Sequence, residues 1–207
     1  MNDRIAAFDV DGTLTTRDCV VPFLRRVAPT HRLVTGMLRR PVTLAASAAR
    51  RDRDALKAAS VAAAFTGRSR ASVESEAAAF GDQVHARWLR PDVVELLRGH
   101  VRDGDTVLLV SASFEVYLRP LGDLLGVDDV LAARLEIGAD DRYTGRLLGA
   151  NCRGPEKVRR LHEWLEEHAG GRDRVHLTAY GDSIGDRELL ADADVARWLG
   201  RGEMPFG

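Results

Sequence analysis

The sequence predicts an α/β fold: a doubly wound parallel sheet built from residues 1–16 and 89–207, with an all-helical insertion at 17–88. Three observations predict it. A short apolar run at 5–8, of strand length and composition, stops at two carboxylates, Asp9 and Asp11, and at Gly12. From Pro91 onward helix-like and strand-like segments alternate, the pattern of a parallel sheet covered on both faces. Between these regions, residues 20–88 carry apolar side chains at helical spacing and no convincing strand.

Bulk composition sets the outer bounds. A chain of 207 residues can hold one full core, or one core plus a small module. Apolar content of 45%, charged content of 29% and a net charge of −1 describe an ordinary globular chain and give no reason to expect nucleic acid as a partner. Cys19 and Cys152 lie far apart with no CxxC pair, so neither a thiolate zinc site nor a disulfide framework is expected, and a reducing cytoplasm is the simplest location. Asp9 and Asp11 interrupt any leader-like pattern, and no run reaches the roughly 18 apolar residues of a membrane span.

In chain order, the first strand is followed by helical spacing at Val21, Phe23, Leu24 and Val27, then at Leu33, Val34, Met37 and Leu38, punctuated by Pro22, Pro29 and Pro41. An alanine-rich helix is expected over 44–65 and another over 72–88, with Ser72 as its N-cap. Beyond Pro91 come a helix at 92–100, a Gly104 turn, a strand at 106–110 and a helix at 114–125. Strands at 130–137 and 143–148 flank a turn; a helix at 155–168 has Pro155 at its first position, where a missing N–H costs nothing. A strand at 175–180, a short helix at 187–191 and a strand at 195–198 follow. Trp88, Trp164 and Trp198 fall at core-like positions, and the six histidines show no metal spacing.

Charge is unevenly spread. Residues 17–58 hold ten Lys and Arg against three acids, a local net of +7 in a chain of net −1. Such a run is either a set of solvated helix faces, or a means of steering an anionic substrate or meeting an anionic membrane or protein surface.

Four strand ends or helix starts carry polar residues that would meet at one edge of the sheet. Apolar residues running straight into Asp9 and Asp11 are costly unless the acids sit at an open strand end, although an Asp-Gly turn alone would read as a hairpin. The partners are Ser111 in LLVSAS at 108–113, Lys157 in GPEKVRRL and Asp182 with Asp186 in GDSIGD at 181–186. Together with DVDGTLT at 9–15, these motifs resemble, in order, the four motifs of the haloacid dehalogenase (HAD) superfamily. The layout is closest to its subfamily IB, the phosphoserine-phosphatase-like hydrolases, and the insertion at 17–88 looks like a C1-type cap on a HAD-like Rossmannoid core.

The resemblance implies a Mg²⁺-dependent phosphomonoesterase working through an aspartyl-phosphate, with a small phosphorylated metabolite as substrate. Phosphoryl transfer needs an in-line nucleophile, neutralised equatorial oxygens and a protonated leaving group. Asp9 is the candidate nucleophile and Asp11 the candidate general acid/base. A second reading makes both acids metal ligands only, with metal-bound water attacking. Ser111 and the Ala112 N–H would hold phosphate oxygens at a strand-to-helix junction, unless Ser111 is simply a cap. Lys157 would supply the compensating charge, with Arg153 as rival. Crowded carboxylates beside a phosphate call for Mg²⁺, and the resemblance implies that Asp9 and Asp182 hold it with the Asp11 carbonyl. Asp186 would orient bound water or Lys157, or cap the helix starting at Arg187.

Two departures bear on substrate. Phosphoserine phosphatases carry Ser-Gly-Gly where this chain has Ser111-Ala112-Ser113, and a glutamate reading the substrate amine where it offers Asp18. Phosphoserine, a phospholipid-precursor phosphate and a sugar or specialised-metabolite phosphate therefore stand as candidate classes. A phosphotransferase or mutase, and a non-catalytic phosphate-binding regulator, would use the same groups. Peripheral membrane contact would run through the basic insertion.

Overall fold

The computed structural model describes residues 3–38 and 53–205. β1 (Asp3–Phe8) leads into a tight turn at Val10–Leu14, then α1 (Val20–Val27), α2 (Thr30–Leu38), α3 (Arg53–Phe65) and α4 (Arg70–Arg87). There follow α5 (Pro91–Asp103), β2 (Thr106–Phe114), α6 (Glu115–Leu125), β3 (Asp129–Ala133), β4 (Leu135–Ile137) and β5 (Tyr143–Leu147). Then come α7 (Pro155–His168), β6 (Val175–Gly181), α8 (Arg187–Asp192) and β7 (Val195–Trp198).

Five strands form one parallel sheet in the order β3-β2-β1-β6-β7. Successive strand residues point to opposite faces, so Ile5 and Ala7 enter one core while Ala6 and Phe8 enter the other. Leu161 and Leu165 of α7 and Leu189 and Leu190 of α8 close the first. The second continues from the sheet into the helical segment: Phe23 of α1 lies 4.7 Å, ring to ring, from Tyr117 and 5.3 Å from Phe80, and Phe65 lies 5.5 Å from Phe114. An apolar seam thus fastens the segment over the sheet's carboxyl edge. At its root Thr15 and Leu89 pair antiparallel, and Arg90 N–H donates to the Leu14 carbonyl at 2.8 Å.

The structure differs from expectation in three places. The strand expected over 130–137 is two: β3 joins the parallel sheet, while β4 pairs antiparallel with β5 in a separate hairpin. Ser69, not Ser72, caps α4; its side chain accepts from the Ser72 N–H, so Ser72 already lies in the first turn. The tryptophans are partly buried, and Trp164 keeps its indole N–H on Asp129 at 2.8 Å. The helix expected over 44–65 is described from Arg53 onward; residues 44–52 lie outside the described residues. Among the described residues no helix is long and apolar enough to cross a membrane.

Candidate active site

Parallel strands share one carboxyl edge, which is where open α/β sheets hold their ligands. Phe8 is in register with Leu109 on one side and Tyr180 on the other, so Asp9, Ser111 and Asp182 emerge side by side. The Asp9 N–H still donates to the Tyr180 carbonyl at 3.0 Å. Gly12 turns the chain at φ +88°, and a Cβ there would lie 2.3 Å from Asp182 Oδ2. Only glycine lets this turn pass beneath the second acid. Thr13 then donates its hydroxyl to Asp182 Oδ1 at 2.9 Å.

Lys157, in the first turn of α7, is 1% exposed. Its Nζ donates to Asp9 Oδ1 at 2.5 Å and to Asp186 Oδ1 at 2.6 Å. Asp186 Oδ2 accepts from the N–H groups of Asp182 and Ser183 and from the Ser183 hydroxyl, at 3.3, 3.0 and 2.8 Å. Asp186 thus reaches back to the loop after β6 rather than forward to α8, which corrects the helix-cap alternative; its other oxygen orients Lys157. Arg153 lines the same cavity but packs beside Gly185, while Lys157 holds Asp9.

β2 is irregular where it matters. Ser111 pairs with Ala132 and Phe114 with Ala133, so Ala112 and Ser113 are extra in β2 and form a bulge. The bulge turns the Ser113 hydroxyl onto Asp11 Oδ2 and its N–H onto Ser111 Oγ at 3.1 Å. Asp11 Oδ1 accepts from the N–H of Cys19, at the start of the insertion, at 2.9 Å. Asp18 lines the cavity and is exposed; its carboxylate caps α1 by accepting from the Val21 N–H at 3.2 Å.

Burial sets the electrostatics. It pushes the Asp9 carboxyl up to about 7, with Lys157 pulling it down and Asp186 adding to the rise. It pushes Asp11 up to about 6 against the Ser113 hydrogen bond, and raises Asp182 too. For Lys157 burial works against the charge, and Asp9 and Asp186 outweigh it, so the ammonium is held firmly protonated.

The cavity above these groups has a volume of about 340 Å³. Its lining is apolar at Val20, Val21, Leu24 and Leu56 and polar at Asp18, Lys57, Asn151 and Arg153. A larger cavity of about 650 Å³, between α4, α6 and the β4-β5 hairpin, contains none of the clustered acids, so chemistry rather than size marks the site.

Oxygens of Asp9, Asp182 and Asp186 lie within 4.8 Å of one another. Lys157 takes Oδ1 of Asp9 and Thr13 takes Oδ1 of Asp182, which leaves Oδ2 of each, whereas both oxygens of Asp186 are engaged. An all-oxygen set of crowded acids, of which burial raises Asp9 and Asp182, fits a hard divalent cation such as Mg²⁺.

The model of haloacid dehalogenase-like hydrolases matches residues 6–191. The chain belongs to this family. Protein CicA of Caulobacter vibrioides is 40% identical to the hydrolase over 191 residues, 92% of this chain and 83% of that protein. The histidinol-phosphatase of Neisseria meningitidis serogroup C is 30% identical over 122 residues, 56% of this chain and 55% of that one. A probable phosphoserine phosphatase from Vibrio cholerae shares the fold, with a TM-score of 0.63 at 17% identity over 93% of this chain and 55% of that one. By family the chain is a hydrolase.

Sequence reasoning missed Ser113 and Lys57 in the hydrolase. Lys57, from α3, donates to the Ala112 carbonyl and, at 2.7 Å, to Asn151 Oδ1, while Asn151 donates to Asp54 at 2.7 Å. A signal was present: the chain holds two lysines among its 30 Lys and Arg residues, and both line this cavity. Burial lowers the Lys57 ammonium to about 8. Of the other basic residues in 17–58, Arg26 is bonded to Glu76 and Gln83, and Arg32 to the Thr66 carbonyl.

Proposed function

We propose that the protein is a Mg²⁺-dependent phosphomonoesterase that hydrolyses a small phosphorylated metabolite through an aspartyl-phosphate on Asp9. The observation that carries this reading is the buried Lys157 bridge between Asp9 and Asp186, beside Asp11, Ser111 and Asp182 at one sheet edge. Lys157 orients the Asp9 carboxylate for in-line attack on phosphorus. Asp11 gives its proton to the leaving oxygen as the ester bond breaks, then takes a proton from the water that opens the acyl-phosphate. The Ser111 hydroxyl and Ala112 N–H hold phosphate oxygens, and Lys157 balances their charge.

Asp9 and Asp182, with the Asp11 carbonyl, would hold Mg²⁺, whose chemistry here is to neutralise the phosphate oxygens beside two carboxylates. Asp186 serves as the orienting group for Lys157. Residues 17–88 act as a cap that excludes bulk water from the acyl-phosphate. The relatives' names, histidinol-phosphatase and phosphoserine phosphatase, point to phosphates of small amino-bearing alcohols. A cavity lining that bears both Asp18 and Lys57 is compatible with that class, and its apolar residues with a hydrocarbon portion.

The test is inorganic phosphate release from a panel of phosphomonoesters with Mg²⁺, wild type against Asp9→Asn. Turnover in the wild type and its loss in the variant support the mechanism. An Asp9→Asn enzyme at wild-type rate removes Asp9 as nucleophile, and phosphate released only with an acceptor alcohol present marks a transferase.

A further inference from the structure

We propose that Ser113 is the positioning residue of the general acid/base: it fixes the Asp11 carboxylate for proton delivery to the leaving oxygen. The proposal rests on the phosphomonoesterase reading above and adds to it a residue outside the motif positions that carry the reaction. Asp11 is held from two directions. Its Oδ1 accepts from the Cys19 N–H at 2.9 Å, and its Oδ2 accepts from the Ser113 hydroxyl. The carboxylate plane is thereby set by the root of the insertion on one side and by the end of β2 on the other.

Three features make this arrangement more than an incidental contact. Ser113 is fully buried, so no water competes for its hydroxyl. It reaches Asp11 only because the β2 bulge inserts two residues between the Ser111 and Phe114 pairings. Against it lies the phenol of Tyr117, also fully buried, near enough to interact with the Ser113 hydroxyl and with no other hydrogen-bond partner among the described residues.

A hydroxyl is also suited to the task in a way a backbone amide is not. Asp11 must act once as an acid and once as a base. When its proton passes to the leaving oxygen, as the ester P–O bond breaks and the Asp9–phosphorus bond forms, the resulting carboxylate accepts from Ser113. When Asp11 takes a proton from water, as the water–phosphorus bond forms and the Asp9–phosphorus bond breaks, the Ser113 oxygen can accept instead. The same Ser113 N–H holds Ser111 Oγ at 3.1 Å, which couples the aim of the acid to the phosphate-binding serine.

The experiment compares wild type, Ser113→Ala and Ser113→Thr on an alkyl phosphate, whose poor leaving group needs protonation, and on p-nitrophenyl phosphate, whose leaving group does not. Ser113→Ala should slow first-turnover release of the alkyl alcohol, the step in which Asp11 acts as the acid, by about tenfold to a hundredfold, with KM within about twofold, and leave the first-turnover release of p-nitrophenol nearly unchanged. Ser113→Thr, which keeps the hydroxyl, should restore most of the alkyl activity. Equal losses of first-turnover alcohol release on both esters, no loss on either, or failure of a folded Ser113→Thr to exceed Ser113→Ala overturns the proposal. If Ser113→Ala does not fold, Ser113→Cys, of similar size and a weaker donor, carries the same comparison and the same expected split. A wild type that hydrolyses neither ester nor any member of the phosphomonoester panel overturns the phosphomonoesterase reading itself, and this proposal with it.

Discussion

Lys157 Nζ lies 2.5 Å from Asp9 Oδ1, with side-chain exposures of 2% and 8%. The same ammonium holds Asp186 at 2.6 Å, so one cation balances two acids that water scarcely reaches. A buried pair adds little net stability over an apolar replacement, but removing one partner leaves uncompensated charge. Lys157→Ala should therefore cost roughly 3–5 kcal/mol in urea unfolding and abolish phosphate release. A cost below about 1 kcal/mol would mean that Asp9 and Asp186 are solvated in solution.

Gly12 is the point at which the backbone must leave the site without touching it. At φ +88°, with Asp182 Oδ2 2.3 Å from an added Cβ, Gly12→Ala carries both backbone strain and a clash with a fixed carboxylate. The strain alone is worth about 1–3 kcal/mol. Relief of the clash should push Asp182 off Thr13, so the variant should show a lowered Tm and a raised Mg²⁺ requirement for turnover. A Gly12→Ala enzyme with wild-type Mg²⁺ dependence would show that the loop has room the geometry denies it.

Much of this frame was legible from sequence for one physical reason: β1 and β2 carry continuous apolar runs that stop at polar residues, and β6 alternates from Val175 to Tyr180 before it stops at Gly181-Asp182. Pro155 likewise marked the start of α7. The break between β3 and β4 was not legible, because a chain that leaves one sheet for another keeps the same apolar content across Arg134. Ser113 and Lys57 were hidden for a different reason. Ser113 reaches Asp11 through a bulge, and Lys57 reaches Ala112 and Asn151 across 55 and 94 residues of sequence, relations that periodicity does not encode.

The acids should reveal their burial in the pH dependence of stability. Asp11 is raised by burial from 3.8 to about 6, so between those values the folded chain holds a proton that the unfolded chain has released. The unfolded state then binds fewer protons, and stability falls as pH rises. In chelator, wild type relative to Asp11→Asn should lose roughly 2–3 kcal/mol between pH 4 and pH 7. A flat difference across that range would place Asp11 in solvent.

Lys57 links the helical segment to the β2 bulge at Ala112. Its ammonium sits on the Ala112 carbonyl and on Asn151, 4.8 Å from the Phe114 ring centroid, and burial lowers it to about 8. Lys57→Met should raise KM by about tenfold, the worth of one lost charged hydrogen bond, with a smaller change in kcat. Because a lowered ammonium loses its charge as pH passes about 8, the wild-type KM should climb toward the variant's value in alkaline buffer. A KM identical in both enzymes at pH 7 would confine Lys57 to packing.

The acids that burial raises are also the ones a cation would relieve. Asp182 keeps Oδ2 above Gly12 while Thr13 holds Oδ1, and Asp9 keeps Oδ2 while Lys157 holds Oδ1, so the two remaining oxygens supply the charge that a hard ion seeks. An ion bound by the folded state alone stabilises by mass action, about 2.7 kcal/mol at a hundred times its Kd. Mg²⁺ should therefore raise the Tm of the chelated wild type, and most at a pH above the raised values of Asp9 and Asp11, where both are ionised without it. Asp182→Asn keeps an acceptor for Thr13 and removes the charge, so its Tm should respond little to Mg²⁺ while its fold persists. If Mg²⁺ shifts both proteins equally, the ion binds elsewhere; if it shifts neither, the Asp9 and Asp182 oxygens do not form a cation site.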